Sequence, residues 1–155
     1  MRLTEEEFAA LTGCKVEKKK KTNKHHNLKV YVTEEGVPFD DRELAEQFGK
    51  IALIFDSRKE YRRWEELKLL QRAGEISDLL RQVKWIITDA TVYGDEKIRE
   101  IAYKADFQYT RNGRTVVEDV KPFDEKSQKY MTTKDFAIKW KMLKQKYPGV
   151  LFELY

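Results

Sequence analysis

IAYKADFQYTRNGRTVVEDVK, residues 101–121, is the stretch that decides how this chain folds. Two runs rich in β-branched and aromatic residues flank Asn112-Gly113, a pair that tolerates the positive φ angles of a tight type I′ turn, so the stretch reads as a β-hairpin. A two-residue loop pairs Arg111 with Arg114. Counting back sets Gln108 opposite Val117, Asp106 opposite Asp119 and Lys104 opposite Lys121. Side chains alternate along a strand, so Lys104, Asp106, Asp119 and Lys121 should share one face. The other face takes Tyr103, Ala105, Phe107, Tyr109, Val116 and Val120, with Glu118 as the one misfit.

Directly opposed carboxylates on paired strands have Cβ atoms roughly 5 Å apart, and their repulsion weakens the sheet. A divalent cation between Asp106 and Asp119 would turn that repulsion into ligation by hard oxygens, the preference of Mg²⁺. Lys121, two residues beyond Asp119 on the same face, could then orient a water or offset developing charge. The competing reading is a solvated face on which water and neighbouring lysines screen both acids.

With 155 residues, 41% hydrophobic and 12% aromatic, the chain is expected to fold as one domain with a real core. Lys+Arg 31 against Asp+Glu 27 gives +4, and the pI is near 9.0, which suits a nucleic-acid partner without requiring one. The single cysteine, Cys14, excludes an internal disulfide or a cysteine-based zinc site and fits a reducing compartment. No apolar run approaches the roughly 20 residues of a membrane span, and MRLTEEEFAAL lacks a basic signal-peptide start. The expectation is a soluble, cytoplasmic protein with no membrane partner.

Residues 4–12 read as a short helix capped by Thr4. KVEKKKKTNKHHNLK, residues 15–29, is the densest positive run: either a solvated block, or an arm whose Lys18, Lys19, Lys20, Lys21 and Lys24 dock on phosphates with counterion release. Residues 28–33 alternate as a strand, Asp40-Asp41 cap a short helix ending at Gly49, and residues 51–55 form a brief strand. The helix over 57–73 carries the stripe Tyr61, Trp64, Leu67 and Leu70 and stops at Gly74.

Within that helix Ser57-Arg-Lys-Glu60 is a capping box, in which Glu60 would bond back to the Ser57 amide. Equally, Glu60 could reach toward a metal at Asp106 and Asp119. From about Arg81 the stretch 76–88 reads as a strand, with Gln82 and Lys84 facing away from Val83 and Trp85. Residues 89–98 read as a loop, and PFDEKSQKYMTT after Lys121 as a polar, mobile segment. Thr133 starts a basic helix with Phe136, Ile138, Trp140 and Leu143 on its apolar side; Pro148-Gly149 ends it before the strand VLFELY.

From Ser57 onward the order is helix, three strands, helix, strand. Here the chain resembles the PD-(D/E)XK nuclease superfamily, an α/β fold with an αβββαβ core and a mixed central sheet flanked by helices. Asp106 on the second core strand and Asp119-Val120-Lys121 on the third match the signature placement, and Glu60 stands where the family often adds a glutamate. FDSRKE, KADFQY and VEDVK are closer still to a branch of small phage-encoded endonuclease-like proteins. The resemblance covers about 54–155 as the core, leaving 1–53 as basic arm and accessory segment. Ala105 stands in place of the eponymous proline, Pro122 where the branch more often has glycine, and 37–50 looks like an insertion.

The resemblance implies a Mg²⁺-dependent DNA endonuclease in which Mn²⁺ could substitute. Asp106, Asp119 and the Val120 carbonyl would hold metal, Glu60 would complete the site, and Lys121 would prepare the attacking water. No small-molecule cofactor is implied. Gln82 could contact substrate or be an ordinary strand residue. Lys139, where relatives carry a basic residue, is expected to contact phosphate and Lys141 to face solvent. A branched-DNA resolvase acting in phage recombination is one choice within the family, and such enzymes are usually homodimers. A nucleic-acid-binding module without chemistry and a structural assembly protein are the other classes.

Overall fold

A computed structural model describes residues 28–155; the helix expected over 4–12, Cys14 and Lys18, Lys19, Lys20, Lys21 and Lys24 lie outside the described residues. The described chain is α/β, with three helices packed around a mixed four-stranded sheet and a smaller antiparallel sheet. The small sheet comes first. Strand β1 (Val30–Thr33) pairs antiparallel with β2 (Pro38–Phe39) on one side and β3 (Ile51–Phe55) on the other. Helix α1 (Arg42–Phe48) lies between β2 and β3 in sequence, with Asp41 accepting the Glu43 and Leu44 amides as its N-cap.

Helix α2 (Arg58–Arg72) follows, capped by Ser57, whose Oγ accepts the Glu60 amide at 3.1 Å. Its apolar stripe turns Leu67 fully inward, a burial worth about 2 kcal/mol. Trp64 lies nearly parallel to Phe107, 6.0 Å away. Val30, Val32 and Phe55 pack on Tyr61 and Trp64, so the small sheet is fastened to α2 by its own apolar face.

The main sheet runs in the order β11 (Leu151–Leu154), β8 (Arg114–Asp119), β7 (Ile101–Arg111), β4 (Ser77–Thr88). Strand β4 (Ser77–Thr88) starts about four residues earlier than its periodicity suggested, because Asp78 and Gln82 take left-handed φ values of 54° and 53° that break the alternation. Residues 89–98 are not a plain loop. Strands β5 (Thr91–Tyr93) and β6 (Glu96–Ile98) form an exposed hairpin turning at Gly94, φ 58°.

Strands β7 (Ile101–Arg111) and β8 (Arg114–Asp119) form the expected hairpin, with Asn112 and Gly113 at φ 52° and 73°. Arg111 pairs with Arg114 and Gln108 with Val117, as counted from the turn. After Phe107–Glu118 the ladder ends, and Lys104 pairs with Lys84 of β4 rather than with Lys121.

Strands β9 (Phe123–Asp124) and β10 (Lys129–Tyr130) make a short hairpin out of the segment expected to be mobile, its turn tied by Asp124 to the Ser127 hydroxyl and the Lys126 amide. Helix α3 (Lys134–Lys146) begins at Thr133, which caps the Phe136 amide. Strand β11 (Leu151–Leu154) then runs parallel to β8. Phe136, Trp140 and Leu143 are buried, whereas Ile138 is 60% exposed, two residues from Phe136 and so on a different side of the helix.

Helices α2 and α3 cover opposite faces of this sheet. Val116 packs with Leu67 under α2; Val117, its neighbour, packs with Trp140 and Leu143 under α3. Strict alternation does not hold through β7. Tyr103 and Ala105 join the α3 cluster, while Phe107 and Tyr109 join the α2 cluster, although all four share parity. The neighbouring strand switches at the same level: Arg81 lies over Phe55 on the α2 side, while Trp85 and Ile87 belong to the α3 cluster. Arg81 pairs with Phe107 and Val83 with Ala105, so left-handed Gln82 stands opposite Asp106 at the switch.

Candidate functional site

At the end of β8 the main chain is held by four successive bonds. The Asp119 carbonyl accepts the Tyr155 amide at 3.1 Å, and the Lys121 amide returns a bond to the Tyr155 carbonyl at 3.0 Å. Between them the Val120 amide donates to Asp106 Oδ2 at 2.8 Å, and the Lys121 carbonyl accepts Lys59 Nζ at 2.7 Å. From the Asp119 carbonyl to the Lys121 carbonyl, only the Val120 carbonyl lacks a partner among the described residues.

Asp106 therefore does meet the end of β8, through the Val120 amide just past the last ladder pair. Asp119 is 1% exposed and is held from two sides, by the Tyr103 hydroxyl at 2.6 Å and by the Lys121 ammonium. Lys121 in turn lies over the Phe136 ring at 4.5 Å, which holds its charge at the α3 face. Burial, then the neighbouring Asp119 charge, push the Asp106 carboxyl up to about 7; the Val120 amide and Lys121 offset only part of this. Burial first, and then Asp119, push the Tyr103 phenol well up, which keeps it a hydrogen-bond donor.

Glu60 is 3% exposed and does not close the expected capping box on Ser57. Its Oε2 accepts the Asp56 amide at 3.0 Å, one residue earlier, because the chain enters α2 from β3 with that N–H turned inward. Its Oε1 is buried with no hydrogen-bond partner, and Arg81 approaches it only to 3.6 Å. Burial raises the Glu60 carboxyl against the opposing pull of the Asp56 amide and Arg81, and the Glu60 charge is felt at Asp106. A buried acceptor without a hydrogen bond normally costs about 1–3 kcal/mol, part of which the Arg81 charge offsets, so this oxygen still has room for a further donor or a cation.

Asp106, Asp119, Val120 and Lys121 are thus joined by direct contacts, Glu60 is close enough to act on Asp106 by charge, and Gln82 stands across the strand from Asp106. Among the described residues no three His, Cys, Asp or Glu side chains gather as a ready-made metal cage. Lys139 is not drawn into this group; it pairs with Asp135, one turn earlier on α3, at 3.1 Å. Lys141 is exposed, as expected.

Three participants went unnoticed in the sequence. Tyr103 could have been suspected from a tyrosine three residues before Asp106. Lys59 was overshadowed by Glu60, yet its ammonium fixes the Lys121 carbonyl and lies 5.4 Å and 5.1 Å from the Tyr130 and Tyr155 rings. Its partial burial lowers its pKa. Arg81, over Phe55 and Trp64 at 3.9 Å and 5.5 Å, had no local signal.

Residues 44–153 match the family described as "Protein of unknown function (DUF1064)", and the chain belongs to it. No curated protein and no solved structure matches the chain. No helix among the described residues is long and apolar enough to cross a membrane.

Proposed function

We propose that this protein is a PD-(D/E)XK-type, metal-dependent endonuclease that hydrolyses phosphodiester bonds in DNA. The observation that carries this reading is the union of Asp106, Asp119 and Lys121 around one bend whose Val120 carbonyl has no partner among the described residues. Counting only the strands of the main sheet, the order helix, three strands, helix, strand from α2 to β11, with β11 parallel to β8, supports it; the β5–β6 and β9–β10 hairpins are additions to that order.

The donor set fits a hard divalent cation, Mg²⁺ with Mn²⁺ as substitute: two carboxylates that repel each other, a backbone carbonyl with no described partner, and nearby Glu60 Oε1, which has no hydrogen bond and only a long ion pair to Arg81. Asp106, Asp119 and Val120 would hold the ion, with Glu60 completing its shell. When bound, the ion supplies positive charge at the scissile phosphate and acidifies a bound water.

The chain's own residues do the rest. Tyr103 fixes one Asp119 oxygen, so the other is left for Lys121 and the ligand. Lys121 Nζ, set on this face by Phe136, orients the attacking water and offers its charge to the phosphate as the P–O ester bond breaks. Lys59 holds the Lys121 carbonyl and so the direction in which the Lys121 side chain leaves the strand. Asp106, by gripping the Val120 amide, keeps the adjacent carbonyl in place.

Cleavage of labelled linear, nicked, flapped and four-way-junction DNA with Mg²⁺ or with EDTA, for wild type and Lys121→Ala, tests the reading. Metal-dependent cutting that drops by more than about a thousandfold in the variant is expected. Preferential, symmetric cutting of the junction would identify a resolvase, the choice within this class that also implies a homodimer. A folded wild type that cuts nothing with Mg²⁺ or Mn²⁺ ends the enzyme reading, and a salt-sensitive shift of the same DNAs would then mark a binding module.

A further inference from the structure

Beside the candidate site lies a groove of about 730 Å³ that shares Tyr103, Val120 and Lys121 with it. One wall is the β9–β10 hairpin with the segment after it, and the other is the first turn of α3. This volume falls in the range of roughly 300–1,000 Å³ in which single small-molecule-sized groups are buried.

The groove wall is unusual for a surface meant only for phosphates. Met131 is 58% exposed, and Tyr130 is braced edge-on by Phe123, 5.1 Å away and itself 42% exposed. Lys59 stands over the Tyr130 ring at 5.4 Å and anchors it to the Lys121 carbonyl. Phe136 closes the wall beneath Lys121. The face of a ring and a thioether give nothing to a phosphate, for which only the Tyr130 hydroxyl could serve, but they match the flat face of a base. In a duplex those faces are covered by stacking, and only edges and backbone are offered.

Charge fits the same occupant. Lys129 lines the groove with no described ion pair, and Lys121 stands at the end nearest the carboxylates. The one carboxylate lining the groove, Asp135, is neutralised by Lys139 at 3.1 Å. A nucleotide seated here would place its base on Tyr130 and Met131, one phosphate toward Lys121 and the other toward Lys129.

We infer that this groove holds one unpaired nucleotide next to the bond being cut, so that the substrate class is DNA with a single-stranded or frayed nucleotide at the cleavage point. The inference rests on the nuclease reading for its phosphate at Lys121, and it makes the β9–β10 hairpin a specificity element.

The test measures binding with Ca²⁺ in place of Mg²⁺, using the full chain, a blunt duplex, and the same duplex with a short unpaired flap carrying 2-aminopurine. The flap should bind about tenfold more tightly than the blunt duplex, with quenching of the 2-aminopurine as its face meets Tyr130. Met131→Ala, at an exposed position that folding does not depend on, should lose several-fold of the flap affinity, and Tyr130→Ala about tenfold, with duplex binding unchanged in both. Tyr130→Phe should keep flap binding, which separates stacking from collapse of the hairpin. Equal binding of flap and duplex, no binding of either, or a Met131→Ala variant and a Tyr130→Ala variant that both match wild type, would overturn the inference. Cleavage that treats both DNAs alike sinks the groove and spares the nuclease; flap-selective, quenched binding without any cleavage does the reverse.

Discussion

Glu118 and Asp119 are neighbours on one strand, equally buried, and point to opposite faces of the sheet into opposite circumstances. Glu118, the misfit of the hairpin's apolar face, meets the Arg63 guanidinium in a two-pronged pair, both bonds 2.7 Å, and takes the Tyr109 hydroxyl at 2.9 Å. Tyr155 stacks over Arg63 at 4.1 Å and closes the pair off. Every part of that arrangement is complete. Asp119 also has both oxygens held, by the Tyr103 hydroxyl and Lys121, but a second carboxylate repels it and the next backbone carbonyl has no described partner. The first buried acid stabilises the fold, and the second holds a repulsion that the fold tolerates. Burial of a charge therefore says little about function; the completeness of its partners says more.

The comparison can be broken most forcefully at Glu118. Glu118→Ala takes both short bonds from the half-buried Arg63, leaving it only the exposed Glu66, and strips the Tyr109 hydroxyl of its acceptor, so it should cost about 2–3 kcal/mol in urea unfolding. Asp106→Asn should act in the opposite direction. The amide oxygen keeps the Val120 bond while the repulsion with Asp119 disappears, so the metal-free protein at pH 8 should gain about 2 kcal/mol and lose its cleavage. A loss of stability there would mean that the two faces do not differ in kind.

The pH dependence follows from the same carboxylate. Folded Asp106 keeps its proton to about pH 7, whereas in the unfolded chain it ionises near its ordinary 3.8. The folded state thus binds the extra proton between these values, and its advantage declines as pH rises from about 4 through 7. In EDTA, Tm should be lower at pH 8 than at pH 6; Mg²⁺ should raise it more at pH 8, measured by thermal melts. An equal Mg²⁺ effect at both values would place the ion elsewhere. The smallest expected effect is Tyr103→Phe, which removes one charge-assisted bond to Asp119, for about 1 kcal/mol in stability.

What could be read from the sequence was what lies within one turn or one hairpin. Asn112-Gly113 fixed the register from Arg111–Arg114 to Gln108–Val117, and Ser57 and Thr133 marked their helices. The same counting brought Asp106 to the end of β8, but the ladder stops at Phe107–Glu118, and Asp106 takes the Val120 amide instead of pairing with Asp119 as counted. The counting failed where a left-handed non-glycine intervened. Gln82 has no signal for φ 53°, and opposite it the faces of β7 change sides. Long-range partners were equally hidden: Arg63 for Glu118 lies 55 residues away and Lys59 for the Lys121 carbonyl 62. The β5–β6 turn at Gly94-Asp95 did carry a two-residue hairpin signal, flanked by TVY and EKI, which the surrounding polarity obscured.

The bend from Asp119 to Lys121 is gripped mainly through its main chain, by Tyr155, Lys59 and the Asp106 carboxylate. Main-chain bonds do not depend on which side chains the bend displays. On the proposed nuclease reading, Lys121→Ala should therefore stop cutting while leaving the mould intact, which makes that variant a trap: an uncut DNA strand held against it would record the shape of the substrate.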